Sequence, residues 1–178
     1  VFLTLPPYDD RVHKSKIYYQ TKYKNDIVFI GTWFPERGKF FLKLKNLGLN
    51  FKVYGTRWNK DPNYKAIRSN VQLGHVSPKR YVKIIQNSKI ALALFSQQNQ
   101  DTITRRVSEI TAIGTLLCSF KTKTMTENFI ENREVIYFKT AKECLQKCSY
   151  YLKNEKLRKK ISLKGRYKTT KILKINNY

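Results

Sequence analysis

The chain has little that would carry it through a membrane, staple it with disulfides or load it with a metal. No stretch approaches the ~18–20 apolar residues of a membrane-spanning helix. The longest apolar run, Ile90 to Phe95, has six residues. Cysteine occurs three times, at Cys118, Cys144 and Cys148, which is too few for a disulfide framework. Histidine occurs only at His13 and His75. Cys144 and Cys148 stand four residues apart, a spacing that suits one helical face, but no zinc-type ligand pattern surrounds them. No metal is expected, and the three cysteines read as small apolar side chains in a reducing cytoplasm. GxGxxG and GxxxxGK[ST] are both missing, which excludes the commonest nucleotide-binding fingerprints. No internal repeat is visible. The opening Val1 to Leu5 is too short for a secretory signal and runs into Pro6-Pro7. The first residue is not Met, so the chain is expected to be a fragment.

Acidic residues are also scarce. There are 12 Asp plus Glu against 36 Lys plus Arg, a formal charge of +24. Such an excess is what a polyanion-binding surface would carry. It is equally what a coding sequence rich in A and T would supply, because Asn, Ile and Tyr are plentiful too. The basic residues are dispersed, except that residues 139–178 hold 11 Lys and two Arg against two Glu. A charge of this size draws a protein toward anionic membranes or phosphorylated ligands. Nucleic acid is not expected as the main partner, since only Tyr150, Tyr151 and Tyr167 interleave with the basic tail.

What is present is material for one packed domain. The chain has 178 residues, 41 % of them hydrophobic and 13 % aromatic, too apolar for disorder. Residues 1–25 lack a steady period and read as a linker or interdomain segment. Regular alternation then begins. Asp26 to Gly31 is a short apolar run that predicts a buried strand. Phe40, Phe41, Leu44 and Leu47 recur at helical spacing from Gly38 until Gly48. Asn50 to Tyr54 predicts a second strand, followed by a polar loop to Asn63, and Val71 to Leu73 a third. Ser77-Pro78 is a helix start, with a capping Ser and Pro in the first turn. Ile90 to Phe95 predicts a strand, Val107 to Ile113 a helix stopped by Gly114, and Thr115 to Ser119 a strand. A short helix near Thr126 to Glu131 precedes the strand Glu134 to Phe138. Two helices, Ala141 to about Lys153 and Asn154 to about Lys168, finish the chain. The pattern predicts an α/β fold, a Rossmann-like, mostly parallel sheet with helices on both faces. Residues 26–140 would form the domain, and 141–178 the helices packed on it.

In such sheets ligands sit beyond the carboxyl ends of the strands. Two loops there are informative. In the first, Gly31 lets the backbone approach a ligand, and Arg37 stands just before a helix N-terminus, where an anion is favoured. A solvated Arg in a turn would look the same. In the second, Asp101 is placed to cap a helix, with Arg105, Arg106 and Glu109 following. Glu109 lies a little over two turns beyond Asp101, near the same face. One reading has Glu109 accept hydrogen bonds from a ribose diol, Arg105 or Arg106 neutralise phosphate, and Asp101 meet a sugar. The other has Arg106 and Glu109 form an intrahelical ion pair.

Several of these strings occur together: Asp26-Ile-Val-Phe-Ile-Gly31 with Arg37, Tyr54-Gly55-x-x-Trp58, Asp101-Thr-x-Thr-Arg105-Arg106-x-x-Glu109-Ile110-x-Ala112-x-Gly114, and Phe129-x-Glu131 with Glu134-Val and Phe138. In that order, over roughly Tyr8 to Arg166, they resemble the CgeB-type (spore maturation protein B-like) glycosyltransferases. The resemblance implies the C-terminal half of a two-domain GT-B enzyme, a domain that binds a nucleotide-diphosphate sugar of UDP, GDP or ADP type. It also implies two acidic residues separated by seven positions. Asp101 and Glu109 hold that spacing, with Asp101 standing where the related enzymes carry Glu. Glu109 would grip the ribose, Gly74-His75-Val76 would read the base, and Gly114 would close the helix over the next strand. Asp101 and Arg106 are then the catalytic candidates, with Gly31, Arg37, His75, Val76, Arg105, Glu109 and Gly114 as donor-binding residues. Arg37 with Arg105 or Arg106 would stabilise the leaving diphosphate without a metal or other cofactor. The acceptor, a glycan, protein or lipid, would meet an N-terminal domain, and without one this chain is expected to bind donor but turn over little. The expected place is the cytoplasm, at or near an anionic membrane surface. The competing expectation is a basic module for nucleic acid or an anionic surface, without catalysis.

Overall fold

The computed structural model describes residues 5–13, 23–96 and 99–175, with side chains as far as Lys171. Of the segment read as a linker, residues 1–4 and 14–22 lie outside the described residues, as do 97–98 and 176–178. Six strands form one sheet: β1 (Asn25–Ile30), β2 (Lys52–Gly55), β3 (Val71–Leu73), β4 (Ser88–Ala93), β5 (Leu116–Phe120) and β6 (Ile136–Phe138). Every neighbouring pair is parallel, in the order β3-β2-β1-β4-β5-β6. The order reverses between β1 and β4, which opens a crevice above their carboxyl ends. The helices are α1 (Asp10–His13), α2 (Pro35–Asn46), α3 (Tyr64–Ile67), α4 (Pro78–Gln86), α5 (Arg105–Ile113), α6 (Lys123–Asn128), α7 (Ala141–Lys153) and α8 (Glu155–Ile175). Among the described residues no helix is long and apolar enough to cross a membrane.

Side chains alternate across a strand, so a parallel sheet covered on both faces must be apolar at every position. That is what β1 shows. Ile27 and Phe29 point into one core with Phe41, Leu44, Phe51 and Trp58, whereas Val28 and Ile30 point into the other with Tyr81, Ile85, Val107 and Ile110. Strand β4 divides likewise, Ile90 and Leu92 against Ala91 and Ala93. Helices α2 and α7 cover the first face, and α4 and α5 the second. Residues 5–13 join the second core: Leu5 and His13 are buried, and Tyr8 and Val12 pack beside them.

Most predicted elements are present, with shifted ends. Helix α2 begins at Pro35 rather than Gly38, because Pro in the first turn has its φ already set and lacks an N–H that would go unpaired. Helix α6 begins at Lys123 rather than Thr126, because Thr122 Oγ1 accepts from Met125 N at 3.1 Å. Helix α8 continues well beyond the expected Lys168. The polar loop read after Tyr54 contains a 3₁₀ turn, Trp58–Lys60, and leads straight into α3. The cause is tertiary. Trp58 is fully buried and donates from Nε1 to Gly31 O at 2.9 Å, while Trp33 Nε1 donates to Asp61 Oδ2 at 2.7 Å. Two indoles thus staple the β1–α2 loop to the segment after β2.

One ion-pair knot fastens α7 to the sheet. Glu131 accepts from Lys121 Nζ at 2.9 Å and from Lys147 Nζ at 2.5 Å. Burial works against its charge, but the hydrogen bonds from Lys147 and Lys121 outweigh it and hold the carboxyl below its usual range. A carboxylate with a depressed folded pKa contributes stability that is present above its unfolded value, about 4.5, and lost as pH falls through the folded value. Acid unfolding of Glu131→Gln is therefore expected to be less steep below pH of about 4.5 than that of the parent. Denaturant midpoints measured across pH check this, and parallel profiles would refute it.

Candidate functional site

The loops beyond β1 and β4 carry chemistry at the point where the sheet order reverses. Two adjoining cavities open there, of about 250 and about 290 Å³. Arg37 and Leu94 line both. The first cavity also takes in Glu36, Phe40, Phe95, Asp101 and Phe120. The second takes in Gly31, Thr32, Phe34, Thr104 and Arg106.

Arg37 dominates this edge. It lies in the first turn of α2 and is 9 % exposed. Its Nη1 donates to Thr32 O at 2.8 Å and its Nη2 to Leu94 O at 3.3 Å. Its Nε is buried with no hydrogen-bond partner. The guanidinium sits 4.7 Å from the Phe34 ring centre and 5.5 Å from that of Phe29, a cation–π setting. Burial pushes its pKa below the usual range, Arg106 adds to that, and Glu36 and Asp101 oppose it. A buried cation held by carbonyls and rings, with a donor to spare, is a site prepared for an anion.

Helix α5 points its N-terminus at the same edge. Its first two residues are Arg105 and Arg106, no acidic residue stands in its first turn, and its cap Thr104 makes no side-chain capping bond. Cations are disfavoured at that positive pole unless an anion joins them. Arg106 lines the second cavity, lies 4.4 Å from the Tyr81 ring centre and donates from Nη1 to Glu109 Oε2 at 2.7 Å. Glu109 is 7 % exposed. Its other oxygen stands 4.0 Å from His13 Nε2. Beneath them burial raises the Tyr81 phenol pKa far above its usual value.

The sequence-predicted residues thus separate into groups. Gly31, Arg37, Asp101 and Arg106 are brought together around the two cavities. Asp101 reaches the first cavity from a loop, not from the helix it was expected to cap. Thr104 is the cap, and Asp101 is tied to Ser96, donating from its N to Ser96 O at 3.0 Å and accepting from Ser96 N at 3.4 Å. The eight-residue offset from Glu109 therefore does not place the two carboxylates on one helical face. Glu109 lines neither cavity. It makes the intrahelical ion pair, which was the alternative reading of that spacing. Arg105 and Arg106 are both exposed, and of the two only Arg106 lines a cavity. His75 is exposed on the turn after β3 with Val76 beside it, and both lie outside the two cavities. Gly114 ends α5 at the opposite edge of the sheet, among Ser88, Thr115 and Leu116, so it cannot share the cleft with Arg37.

Four contributors were missed. Phe34 and Thr32 could have been found, because Pro35 marks the helix start and so puts its flanking loop at the strand's end. His13 left no signal: it comes from a segment with no periodicity and reaches Glu109 only through the fold. Tyr81 was read only as a helical core residue, which it also is.

Comparison with known proteins matches the fold. The C-terminal domain of a glycosyl transferase group 1 family protein (LpcC) from Francisella tularensis superposes with a TM-score of 0.72 at 14 % identity, covering 93 % of this chain and 97 % of that one. The C-terminal CMP-Kdo binding domain of WaaA from Acinetobacter baumannii gives 0.58 at 12 % identity, covering 84 % and 89 %. A glycosyltransferase from Rickettsia africae gives 0.61 at 15 % identity, and there the chain covers 48 % of that longer protein. These likenesses establish the fold, that of GT-B C-terminal domains. No curated protein sequence matches the chain. A family description, "Glycosyl transferase-like", matches residues 37–174, which include Arg37, Asp101, Arg106 and Glu109, and the chain belongs to that family.

Proposed function

We infer that this domain binds a nucleotide-activated sugar as the donor half of a CgeB-type GT-B glycosyltransferase. One observation carries the reading. Arg37, buried and with a free Nε, sits between two cavities at the crevice where the sheet order reverses. A diphosphate in the second cavity would meet Arg37, Arg106 and the N-termini of α2 and α5. The sugar would then extend into the first cavity, toward Asp101. The WaaA domain of this fold is a CMP-Kdo binding domain, which supports an activated sugar as ligand, although that sugar is linked through a single phosphate.

In the proposed reaction the bond between the anomeric carbon and the diphosphate oxygen breaks. An acceptor hydroxyl, presented by the other domain of such an enzyme, forms the new bond and passes its proton to a base on that domain. Charge grows on the leaving diphosphate as that happens. The buried Arg37 guanidinium, Arg106 held by Glu109 and two helix N-termini would need little reorganisation to meet it, which is where such sites gain rate. Glu109 acts through Arg106: it holds the guanidinium toward the cavity and would touch a ribose only if that ion pair opened. Action in the cytoplasm, next to an anionic surface drawn to residues 139–178, is part of the same proposal.

Calorimetric titration with UDP-, GDP-, ADP- and CMP-sugars tests the reading. Saturable binding of a UDP-, GDP- or ADP-sugar is the expected result, and a preference for the CMP-sugar would overturn the diphosphate. Silence toward all of them, or salt-sensitive binding to any DNA in their place, would reject it. Glu109→Gln is expected to weaken the preferred donor by about three- to tenfold, the scale of one misplaced charge-assisted hydrogen bond, while far-ultraviolet circular dichroism stays unchanged. Full affinity in that variant would show that Arg106 needs no support.

A further inference from the structure

The three cysteines are scattered in sequence but meet in the fold. Cys118 lies on β5, and Cys144 and Cys148 lie one turn apart on the face of α7 that covers it. All three are fully buried in the first core. Cys148 Sγ stands 3.8 Å from Cys118 Sγ and 4.0 Å from Cys144 Sγ, and the three sulphurs all lie within 4.8 Å of one another. Core packing needs no such convergence, since three thiols of this size could point to three different neighbours.

We propose that Cys118, Cys144 and Cys148 form a three-coordinate site for a soft, thiophilic cation, Cu(I) by class. Three sulphurs sharing one metal at a bond length of about 2.3 Å stand about 4 Å apart in a trigonal plane. The observed separations need little adjustment to reach that. Softness follows from an all-sulphur donor set. Structural zinc almost always takes four ligands, and among the described residues no Asp, Glu or His completes a fourth position in the cluster. The surroundings are apolar, with Ile136 and Phe138 in the same core, which suits a soft cation. Each thiol that becomes a ligand forms a sulphur–metal bond and releases one proton. A bound Cu(I) would offset one of the thiolate charges that the core otherwise resists. The site would also tie α7 to β5, on the far side of the sheet from α5.

Because the cluster is buried, the test refolds the chain from denaturant with Cu(I), supplied anaerobically as its acetonitrile complex. The expected result is one copper per chain after desalting, an ultraviolet thiolate-to-copper absorption band, and a higher unfolding midpoint than a metal-free refold. Cys118→Ala and Cys148→Ala, checked for folding by circular dichroism, are expected to bind copper at least about tenfold more weakly against a competing chelator. Refolded parent protein without the band, or with less than stoichiometric copper, would overturn the proposal. So would an unchanged band in both folded variants. The parent titration decides the matter even if the variants fail to fold.

Discussion

Arg37→Met is expected to weaken nucleotide-sugar binding by about 10- to 100-fold. Hydrogen bonds to charged groups contribute about 1.5–3 kcal/mol each, and the buried guanidinium would make at least one to the phosphate. Methionine keeps the apolar stem over Phe29 and Phe34, so lost packing would not explain the result. Stability is expected to move by no more than about 1–2 kcal/mol, because relief of a buried cation offsets the two hydrogen bonds lost at Thr32 O and Leu94 O. Arg105→Met is the matched comparison. It removes the same charge from an exposed position on the same cleft edge, and is expected to cost about fivefold at most, the range of a screened surface charge. Calorimetry on the two variants distinguishes a built anion site from general attraction by a basic protein. Equal losses would favour general attraction and remove the main support for donor binding.

Gly55→Ala is expected to be the most damaging of the small substitutions. Gly55 closes β2 at φ +152°, and a β-carbon there would lie 2.1 Å from Gly31 O and 3.3 Å from Trp58 Nε1. Gly31 is main chain on the cleft-forming loop, so nothing flexible can yield. Backbone strain costs about 1–3 kcal/mol and overpacking a further 1–3 kcal/mol or so. The sum corresponds to a fall in unfolding midpoint of about 5–20 °C for a chain of this size. Gly48→Ala supplies the contrast. It also has positive φ, +81°, but nothing lies within 4 Å of a β-carbon there. It should lose only the left-handed penalty of about 1–2 kcal/mol. Thermal unfolding of the pair measures steric closure apart from conformational preference. Because Gly31 lines the second cavity, Gly55→Ala should also weaken donor binding at temperatures where it remains folded.

Much of this protein follows from local pattern. Runs such as Ile27 to Ile30 and Ile90 to Phe95 are apolar at every position, and only a strand buried on both faces uses that economically. Alternating with helical periods, they imply a parallel sheet, and a parallel sheet implies that ligands meet the carboxyl ends of its strands. Ser77-Pro78 and Gly114 marked helix ends because capping is chemistry among near neighbours. Gly31 and Arg37 could be singled out for the same reason, since both adjoin a strand end and a helix start.

What lay beyond the sequence depends on contacts between distant segments. Helical spacing put Asp101 and Glu109 near one face, but the helix begins only after Thr104, and a spacing rule has no meaning across a loop. No local pattern places His13, nearly a hundred positions away, beside Glu109. Gly114 read as part of the site through the motif that runs from Asp101 to it, yet a helix carries its two ends to opposite edges of the sheet. The 3₁₀ turn at Trp58 exists because an indole must both fill the core and reach Gly31 O. The convergence of Cys118 with Cys144 and Cys148 depends on how α7 lies across β5. Local sequence sets backbone preference and burial pattern, each decided by neighbours within a few residues. Which side chains share a cavity is decided by helix packing over the sheet, a many-body balance that no single stretch of chain contains.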